Sequence, residues 1–431
     1  MLQKEKEMKI LWVVNLMLPD IADSLGKNAS QREGWLSGIF AMMRQLKDNA
    51  YTLSVAYPTM DASISMVTLD GIDCYPFREN LSQPERYDVS LEKNLEDIID
   101  KVNPDILHIF GTEFPHALAA ARVFNRPEAT LVGIQGVCSL IAKDYMALLP
   151  SRVVNKVTFR DFLKKDSLKK QQEKFIKRGE NEKELLRLAG YITGRTGFDE
   201  RVASALNPGA VYLKMNETMR EVFYEDSWDL KKTHGHCVFL GQGDYPIKGM
   251  HFLIEALGKL REKYPDLCMC IAGNSIINAD SVKDIIKTSA YGGYLRGLIA
   301  QNGLEGHVKV LGMLDAQGMK KAYLSCDVFV CASYIENSPN TVAEAMLLGV
   351  PVVASDAGGI TSVISKEEGF IFKRGDVKML ASAIDRVWTL EKSRSHELEE
   401  MLERAKERAH RDYDKETNAR RLFEIYDRIY G

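Results

Sequence analysis

The chain has 431 residues, more than one typical hydrophobic core accommodates, so length alone favours two or three domains. Hydrophobic residues make up 45% and charged residues 27%, as in a soluble globular protein, and the net charge of −3 gives no overall basicity that would favour nucleic acid. The seven cysteines include no Cys-x-x-Cys pair. Because no apolar run resembles a secretory signal or a membrane helix, we expect a cytoplasmic protein, with Met1–Glu7 as a dispensable leader.

The first half of the chain alternates short apolar runs with helical stretches. The runs KILWVVNL, YTLSVAYP, DILHIF and TLVGIQGV predict buried strands, and LSGIFAMMRQL, NLEDIIDKV and FPHALAAARVFN predict helices between them. Such alternation predicts a parallel sheet with helical crossovers. A highly charged helical stretch interrupts the alternation over about 151–188, and we interpret it as an insertion in this domain.

A second series of strands begins near His236 with HCVFLGQG and continues with DLCMCIAGN, HVKVLGML, CDVFVCAS and PVVASDAGG. We therefore expect two Rossmann-like α/β domains, residues 8–225 and 226–411, followed by a helix at 412–431. The apolar positions of this last helix recur at helical spacing and need a partner surface; they are Leu422, Ile425, Tyr426 and Ile429. In open parallel sheets ligands bind beyond the carboxyl ends of the strands, so the loops there are candidate sites.

The strongest site signal is ENSPNTVAEAMLLGVPVVASDAGG, which runs from a strand-end loop through a helix to the next strand. Glu336 lies in the loop, and Glu344 lies eight residues later on the helix. The helix N-terminus around Asn340 and Thr341 presents backbone N–H groups and a positive dipole end, which suit a diphosphate. Glu344 can accept hydrogen bonds from ribose hydroxyls, and Glu336 can contact a sugar. The alternative is that both carboxylates are solvated surface charges.

This segment resembles the Glu-x7-Glu signature of family 4 glycosyltransferases, over about Cys237–Phe372, while the first half is similar only in architecture. The resemblance implies the GT-B fold, in which two Rossmann-like domains face each other across a cleft and a C-terminal helix crosses back to the first domain. It implies retaining transfer from a nucleotide-diphosphate sugar, without a bound metal or other cofactor. It assigns Glu336 to the donor sugar, Glu344 to the ribose, and backbone N–H groups near Asn340 and Thr341 to the diphosphate.

The loop GQGDYPIKG carries the next signal. Lys248 and Gly249 match the family's Lys-Gly pair, and Lys248 would neutralise the donor pyrophosphate and the charge on the leaving group. The family's Arg is absent, because Gln242 or Gly243 stands at its position. Either one cation suffices to bind the diphosphate, or another basic residue contacts it. The Gly-x-Gly here also resembles part of a dinucleotide-binding fingerprint, but Pro246 stands at the third position.

Several weaker matches follow from the same resemblance. Asn274 closes an Ala-Gly-Asn loop, and Gly312 follows HVKVL in the loop that packs on the nucleobase in the family. Gly34 stands where the family usually has adjacent glycines near the donor phosphates. Asn216 and Glu217 would lie near the cleft. A structural turn is an equally good interpretation of Asn274 and of Gly312.

The first half departs from the family at IQGVCS. The family commonly has a His where Gln135 stands, and Gln135 can hydrogen-bond a hydroxyl but cannot titrate. Candidate substitutes are Glu113 and His116 in FGTEFPH, with His116 expected to be exposed at a helix start. His108, inside an apolar strand, is expected to be a core histidine.

Transfer that retains the anomeric configuration without an obvious protein nucleophile favours attack of the acceptor on the same face of the sugar, through an oxocarbenium-like state. The protein then positions the substrates and stabilises charge. We therefore expect a retaining glycosyltransferase that acts on a glycan or lipid-linked acceptor in polysaccharide biosynthesis. A nucleotide-sugar epimerase of the same fold and a non-catalytic nucleotide-sugar binder are the alternatives.

The segment from Arg152 to Arg178 has ten Lys or Arg and three Asp or Glu, a net charge of +7. Basic and apolar residues on one helix suit an anionic membrane surface, which would place the protein at the inner face of the membrane. A solvated or packed helical face is the alternative. The interleaved apolar residues are Val153, Val154, Val157, Phe159, Phe162, Leu163, Leu168 and Phe175.

Overall fold

The computed structural model describes residues 7–27, 34–45, 51–232, 235–278 and 281–431. Its strands are β1 (Met8–Val13), β2 (Tyr51–Thr59), β3 (Val67–Leu69), β4 (Ile72–Arg78), β5 (Ile106–Phe110), β6 (Thr130–Gly133), β7 (Tyr191–Gly194), β8 (Val211–Lys214), β9 (Cys237–Leu240), β10 (Cys268–Ala272), β11 (Val308–Gly312), β12 (Val328–Cys331), β13 (Val352–Ser355) and β14 (Phe370–Phe372).

Its α-helices are α1 (Pro19–Ser24), α2 (Gly34–Gln45), α3 (Ser90–Val102), α4 (Pro115–Phe124), α5 (Cys138–Asp144), α6 (Ser151–Val154), α7 (Phe159–Lys164), α8 (Leu168–Leu188), α9 (Gly197–Leu206), α10 (Met250–Leu260), α11 (Val282–Ile286), α12 (Ala290–Gln301), α13 (Ala316–Leu324), α14 (Asn340–Leu347), α15 (Ile360–Val363), α16 (Val377–Lys392), α17 (His396–Asp412) and α18 (Lys415–Tyr430).

The chain divides into two compact units. Unit 1 comprises Met1–Leu140, Lys174–Arg220 and Tyr413–Gly431, and unit 2 comprises Ile141–Glu173 and Glu221–Asp412. The sequence predicts that the charged stretch 151–188 belongs to the N-terminal domain, but the part up to Glu173 belongs to unit 2. This part of the stretch is attached to unit 2 by a hydrogen bond: the carboxylate of Asp161 in α7 accepts it from the Ala290 N–H at 3.0 Å.

Unit 1 is built on an eight-stranded sheet in the order β3-β4-β2-β1-β5-β6-β7-β8, parallel except for β3 against β4. The sequence predicts neither β3 nor β4. From Ile10 to Val13, strand β1 is apolar on both faces because helices cover both faces of the sheet. Leu11 and Val13 join a hydrophobic cluster with α3, α4 and α9, and Ile10 and Trp12 join a second cluster with α1, α2 and α18.

The last helix, α18, packs on unit 1, which confirms the predicted return to the first domain. Leu422, Ile425 and Tyr426 are buried in the second cluster. The Tyr426 hydroxyl accepts a hydrogen bond from Trp12 Nε1 at 2.7 Å and lies 2.7 Å from His108 Nδ1. Burial lowers the pKa of His108 to about 3, so its ring is neutral and can accept the Tyr426 proton. His108 is therefore the core histidine that the sequence predicts.

Unit 2 has six parallel strands in the order β11-β10-β9-β12-β13-β14. From β9 the chain moves outward to β10 and β11 and then returns to place β12 on the other side of β9. Helix α10 packs with α12 and α16, and α14 packs with α17. This reversal of strand order leaves a crevice at the carboxyl ends of β9 and β12, the position at which open α/β sheets bind ligands.

Replacing Leu422 by Ala should lower the free energy of unfolding of unit 1 by about 2–5 kcal/mol, because truncating a fully buried leucine leaves a cavity. Amide hydrogen exchange of β1 and β5 peptides at rising denaturant concentration measures this loss in unit 1 itself. The control is Leu163→Ala, the same truncation at a side chain that is 62% exposed, with an expected change of at most about 0.5 kcal/mol. Equal protection in both variants would mean that α18 does not stabilise this sheet.

Candidate functional site

In unit 2, hydrogen bonds join the two loops that follow β9 and β12. The Tyr334 N–H, after β12, donates to the Ile247 carbonyl, after β9, at 2.7 Å. Next to this bond, Lys248 Nζ lies 2.7 Å from Glu336 Oε2, which also accepts a hydrogen bond from Ser333 Oγ at 3.2 Å. The structure therefore brings together the two residues that the resemblance assigns to the pyrophosphate and to the sugar.

The Lys248–Glu336 ion pair is partly buried, with side chains 26% and 17% exposed. Burial opposes the charge on Lys248, but the neighbouring Glu336 carboxylate outweighs this effect and raises the pKa of the lysine. Lys248 is therefore a cation at neutral pH. The alternative interpretation of Glu336 as a solvated surface charge is wrong, since its carboxylate is held by two partners.

Two glycines allow other backbone segments to approach this pair. Gly249 has φ +73°, and a Cβ there would overlap the Ala332 carbonyl. Gly358, in the DAGG turn, has φ +56°, and a Cβ there would overlap the Glu336 carbonyl. The Gly359 N–H donates to that same carbonyl at 3.0 Å. Both glycines are thus required by backbone conformation and by space.

Helix α14 begins four residues after Glu336, at Asn340. The β9 loop lies against its first turn, since a Cβ on Gly241 would be 3.2 Å from Thr341 Cγ2. Glu344 is only 5% exposed, and its Oε2 lies 3.0 Å from the Tyr323 hydroxyl. Glu344 is therefore a buried, hydrogen-bonded carboxylate rather than a solvated charge on the helix face.

The remaining candidates of unit 2 lie at the same edge of the sheet on neighbouring strands. Gln242 and Gly243 lie in the loop after β9. Asn274 is exposed after β10, and Gly312 ends β11 with φ +77°. Within the described residues, no hydrogen bond or ion pair joins Asn274 or Gly312 to the Lys248–Glu336 pair.

An arginine that no sequence motif indicated reaches the Glu336 loop. Arg374 follows β14, and its guanidinium lies over the Tyr334 ring, 4.6 Å from the centroid. Its Nη1 donates to the Tyr334 carbonyl and to Asp144 Oδ2, both at 2.9 Å. A basic side chain other than Lys248 therefore contacts this loop, although the family's Arg is absent after β9. The only local signal was the pair Lys373 and Arg374 after a three-residue strand.

Unit 1 has an equivalent crevice between β1 and β5. Glu113, after β5, and Asn15, after β1, approach each other across Gly111, where a Cβ would overlap both side chains. Burial raises the pKa of Glu113, and the nearby Arg178 only partly opposes this effect. A carboxyl with a raised pKa at a strand-end crevice is a candidate for proton transfer.

His116 is fully buried, which corrects the expectation that it is exposed. Its Nδ1 bonds to Glu79 Oε2, and its Nε2 lies 3.2 Å from Asn15 Oδ1. The expectation failed because α4 is buried along most of its length, including its first turn. The sequence did not indicate Glu79 or Asn15, because neither belongs to a local motif and each meets His116 only in the folded chain.

Gln135, Asn216 and Glu217 line one small cavity of unit 1. Arg195 joins two of them: its Nη1 lies 2.6 Å from Glu217 Oε1, and its Nη2 donates to the Gln135 carbonyl at 3.1 Å. This buried ion pair fixes the backbone at the position where the family has its His. Gly34, the remaining candidate, is the first residue of α2.

Residues 224–410 match the family described as "Glycosyl transferases group 1". This part of the chain is a group 1 glycosyltransferase domain. The chain is 30% identical over 195 residues to a phosphatidyl-myo-inositol mannosyltransferase of Mycobacterium leprae, covering 44% of this chain and 46% of that protein. The chain is also 37% identical over 82 residues to the putative teichuronic acid biosynthesis glycosyltransferase TuaC of Bacillus subtilis, covering 19% and 21%. The chain thus spans less than half the length of these curated relatives.

Solved structures match the whole chain rather than the group 1 domain alone. Sucrose-phosphate synthase from Thermosynechococcus elongatus has a TM-score of 0.67 at 14% identity, covering 98% of this chain and 99% of that one. Anabaena HepE in complex with UDP has a TM-score of 0.63 at 16% identity, covering 97% and 100%. At such identities the likeness shows the fold, and it confirms the expected GT-B fold. The group 1 domain lies in unit 2 and contains Lys248, Glu336 and Glu344.

Replacing Gly358 by Ala should displace the Glu336 loop, because the new Cβ would overlap the Glu336 carbonyl and the positive φ disfavours any side chain. We expect a lower melting temperature and faster amide exchange in the peptide 333–340. Gly297→Ala in α12 is the control, since a Cβ there meets nothing within 4 Å and should stabilise the helix by about 0.5–1 kcal/mol. Unchanged exchange in the Gly358 variant would mean that the DAGG turn does not hold Glu336.

Proposed function

We propose that the chain is a retaining glycosyltransferase, which takes a sugar from a nucleotide-diphosphate sugar and transfers it to a glycan or lipid-linked acceptor. The observation that carries this proposal is the Lys248–Glu336 pair at the strand-order reversal of the group 1 domain, four residues before the N-terminus of α14. The names of the relatives, a mannosyltransferase of a phospholipid and a teichuronic acid biosynthesis enzyme, support a role in polysaccharide or glycolipid assembly.

The donor diphosphate would bind where positive charge converges. Lys248 supplies one cation, and the first turn of α14 supplies the N–H groups of Asn340 and Thr341. An incoming diphosphate competes with Glu336 for the Lys248 ammonium, which frees the Glu336 carboxylate to accept hydrogen bonds from the donor sugar. HepE, described in complex with UDP, supports a nucleoside diphosphate as the donor part.

The other donor contacts follow the carboxyl edge of the sheet. Glu344 would hold the ribose from its buried position beside Tyr323. The loops after β9, β10 and β11 would surround the nucleotide through Gln242, Gly243, Asn274 and Gly312, and Gly34 would approach the phosphates. Arg374, which contacts the Glu336 loop, is our candidate for the second cation.

On the acceptor side, we assign the supporting role of the family's His to Glu113 rather than to His116. Burial raises the pKa of Glu113, which suits a group that shares a proton with a hydroxyl. Both ring nitrogens of His116 are already occupied by Glu79 and Asn15, so His116 positions its neighbours. Gln135, with its backbone held by Arg195, would hydrogen-bond a substrate hydroxyl.

In the proposed reaction, the bond between the sugar anomeric carbon and the diphosphate oxygen breaks, and the acceptor oxygen forms a bond to that carbon on the same face. The acceptor proton passes to the departing diphosphate oxygen. Lys248 and the α14 N-terminus stabilise the charge that develops there, so this chain supplies positioning and electrostatic stabilisation without a divalent metal ion.

Replacing Glu336 by Gln should reduce transfer at least about 100-fold with the fold intact, because one transition-state contact is lost. Glu344→Gln should instead weaken binding of the free nucleoside diphosphate more than it slows saturated turnover. The assay offers nucleotide-sugars with glycan and lipid-linked acceptors in the presence of EDTA, and Glu262→Gln, at an exposed position of the same unit, is the control.

Near-normal transfer by the Glu336 variant would contradict its assignment to the donor sugar. Formation of an epimer without acceptor would identify an epimerase, and binding without any reaction would identify a nucleotide-sugar binder. Loss of transfer in EDTA that magnesium or manganese restores would contradict metal independence.

We further propose that unit 2 docks on an anionic membrane surface through α7 and its flanks. No described helix combines the length and apolarity needed to cross a bilayer. Asp161 fixes the orientation of helix α7. It forms a capping box with Thr158, and its carboxylate accepts a hydrogen bond from the Ala290 N–H. The apolar side chains of the helix consequently face outward; Phe159, Phe162 and Leu163 are 64%, 72% and 62% exposed.

Charge around α7 complements an anionic lipid surface. Lys156, Lys164 and Lys165 are exposed, and none of them forms an ion pair with another residue that the structure describes. Ile285 and Ile286, 56% and 51% exposed, line a groove together with Phe159 and Lys156 and extend the apolar surface. Exposed aromatic residues beside unpaired lysines are typical of interfacial docking surfaces.

This docking surface is smaller than the segment 152–178. Val153 and Leu168 are buried and serve packing rather than lipid contact. Phe175 is only partly buried, and the Arg178 guanidinium lies over its ring, 4.6 Å from the centroid.

Vesicles that contain an anionic phospholipid should sediment the protein, whereas neutral vesicles should not, and binding should fade at high salt. Lys164→Glu with Lys165→Glu should weaken binding at least about tenfold, because each cation near the lipid contributes about 1 kcal/mol. Lys231→Glu with Lys232→Glu makes the same charge change elsewhere on unit 2 and should leave binding nearly unchanged. Equal recovery in the supernatant with both lipid types would contradict the docking surface.

A further inference from the structure

Three cysteines form a cluster at the amino-terminal ends of the unit 2 strands, the edge opposite to Lys248 and Glu336. Cys237 opens β9, and Cys268 lies directly beside it on β10 in the parallel register. Cys270, two residues further along β10, points to the same face as Cys268. The three sulfur atoms all lie within 4.8 Å of one another, and the sulfurs of Cys237 and Cys270 are 3.9 Å apart.

The 3.9 Å distance between the Cys237 and Cys270 sulfurs matches the edge of a metal–thiolate polyhedron. With Zn–S bonds of about 2.3 Å and tetrahedral geometry, two coordinating sulfurs are about 3.8 Å apart. A disulfide would require about 2.05 Å between two sulfurs and would leave the third cysteine over. All three cysteines are free thiols.

The surroundings of the three cysteines favour the binding of a cation. The ligands stand on two strands that are already hydrogen-bonded to each other, so little chain entropy opposes their assembly. Cys237 is buried, whereas Cys268 and Cys270 are partly exposed and leave a path for an ion. The buried Asp327 carboxylate accepts the Cys237 N–H at 2.6 Å and places a negative charge close behind the cluster.

We propose that Cys237, Cys268 and Cys270 bind one thiophilic metal ion of the Zn²⁺ type through three thiolates, with water at the fourth position. Binding releases the thiol protons to solvent and involves no redox change. Because the ion would join β9 to β10 at the edge away from the donor loops, its role is to stabilise unit 2. The site is independent of the proposed transferase function.

The reduced, metal-free full chain is titrated with Zn²⁺ against a chromophoric chelator, and separately with Co²⁺. We expect one equivalent to bind, thiolate-to-cobalt charge-transfer absorption to appear, and saturating Zn²⁺ to raise the melting temperature by about 5 °C. Cys268→Ala with Cys270→Ala should weaken binding at least about 100-fold and keep glycosyl transfer. Cys74→Ala with Cys138→Ala, which removes two cysteines of unit 1, should bind Zn²⁺ like the unmodified chain.

Alkylation of the unmodified chain provides a second measurement that does not depend on how the variants fold. One equivalent of Zn²⁺ should protect Cys268 and Cys270 from iodoacetamide, as read by mass spectrometry. Absence of saturable binding, or equally tight binding by the variant without Cys268 and Cys270, would overturn the proposal. Alkylation of both residues at the same rate with and without Zn²⁺ would overturn it as well.

Discussion

The order of strands in each sheet reverses beside its first strand, so the crossover connections on the two sides of that strand leave in opposite directions. This topological constraint opens a crevice at the carboxyl end of the first strand, where loops rather than helices meet. In unit 2 the loops after β9 and β12 place Lys248 against Glu336. In unit 1 the loops after β1 and β5 place the side chains of Asn15 and Glu113 beside Gly111. Both polar clusters thus follow from the same rule of strand order.

The two crevices differ in electrostatic character. The ion pair of unit 2 keeps a lysine charged in a partly buried position, because its carboxylate partner outweighs the cost of removing the ammonium from water. The crevice of unit 1 contains a carboxyl whose protonated form is favoured by burial. One crevice therefore contains a charged ion pair, and the other a carboxyl group that burial makes harder to ionise.

The sequence was informative where local pattern and structure coincide. Strands such as β1 and β12 were predicted because both faces are buried and the apolar run is continuous. Strand β14 has only three residues, and β4 contains a proline, so neither shows a clear period. Lys248, Glu336 and Glu344 were found because their signals lie within single loops and helices. Contacts across the chain, such as that between Arg374 and Tyr334 or between His116 and Glu79, have no local pattern and could not be predicted.

Helix α18 completes a hydrophobic cluster whose other members belong to the first part of the chain. During synthesis, β1 to β8 leave the ribosome before the second segment of unit 2, Glu221–Asp412, and the surface beside Trp12 that α18 covers remains uncovered while this segment is made. At ribosomal rates, the roughly 190 intervening residues take about 10–40 s to make. Unit 1 must therefore persist as an incomplete, aggregation-prone intermediate while Glu221–Asp412 is translated, so the unit whose synthesis begins first is the last to be completed.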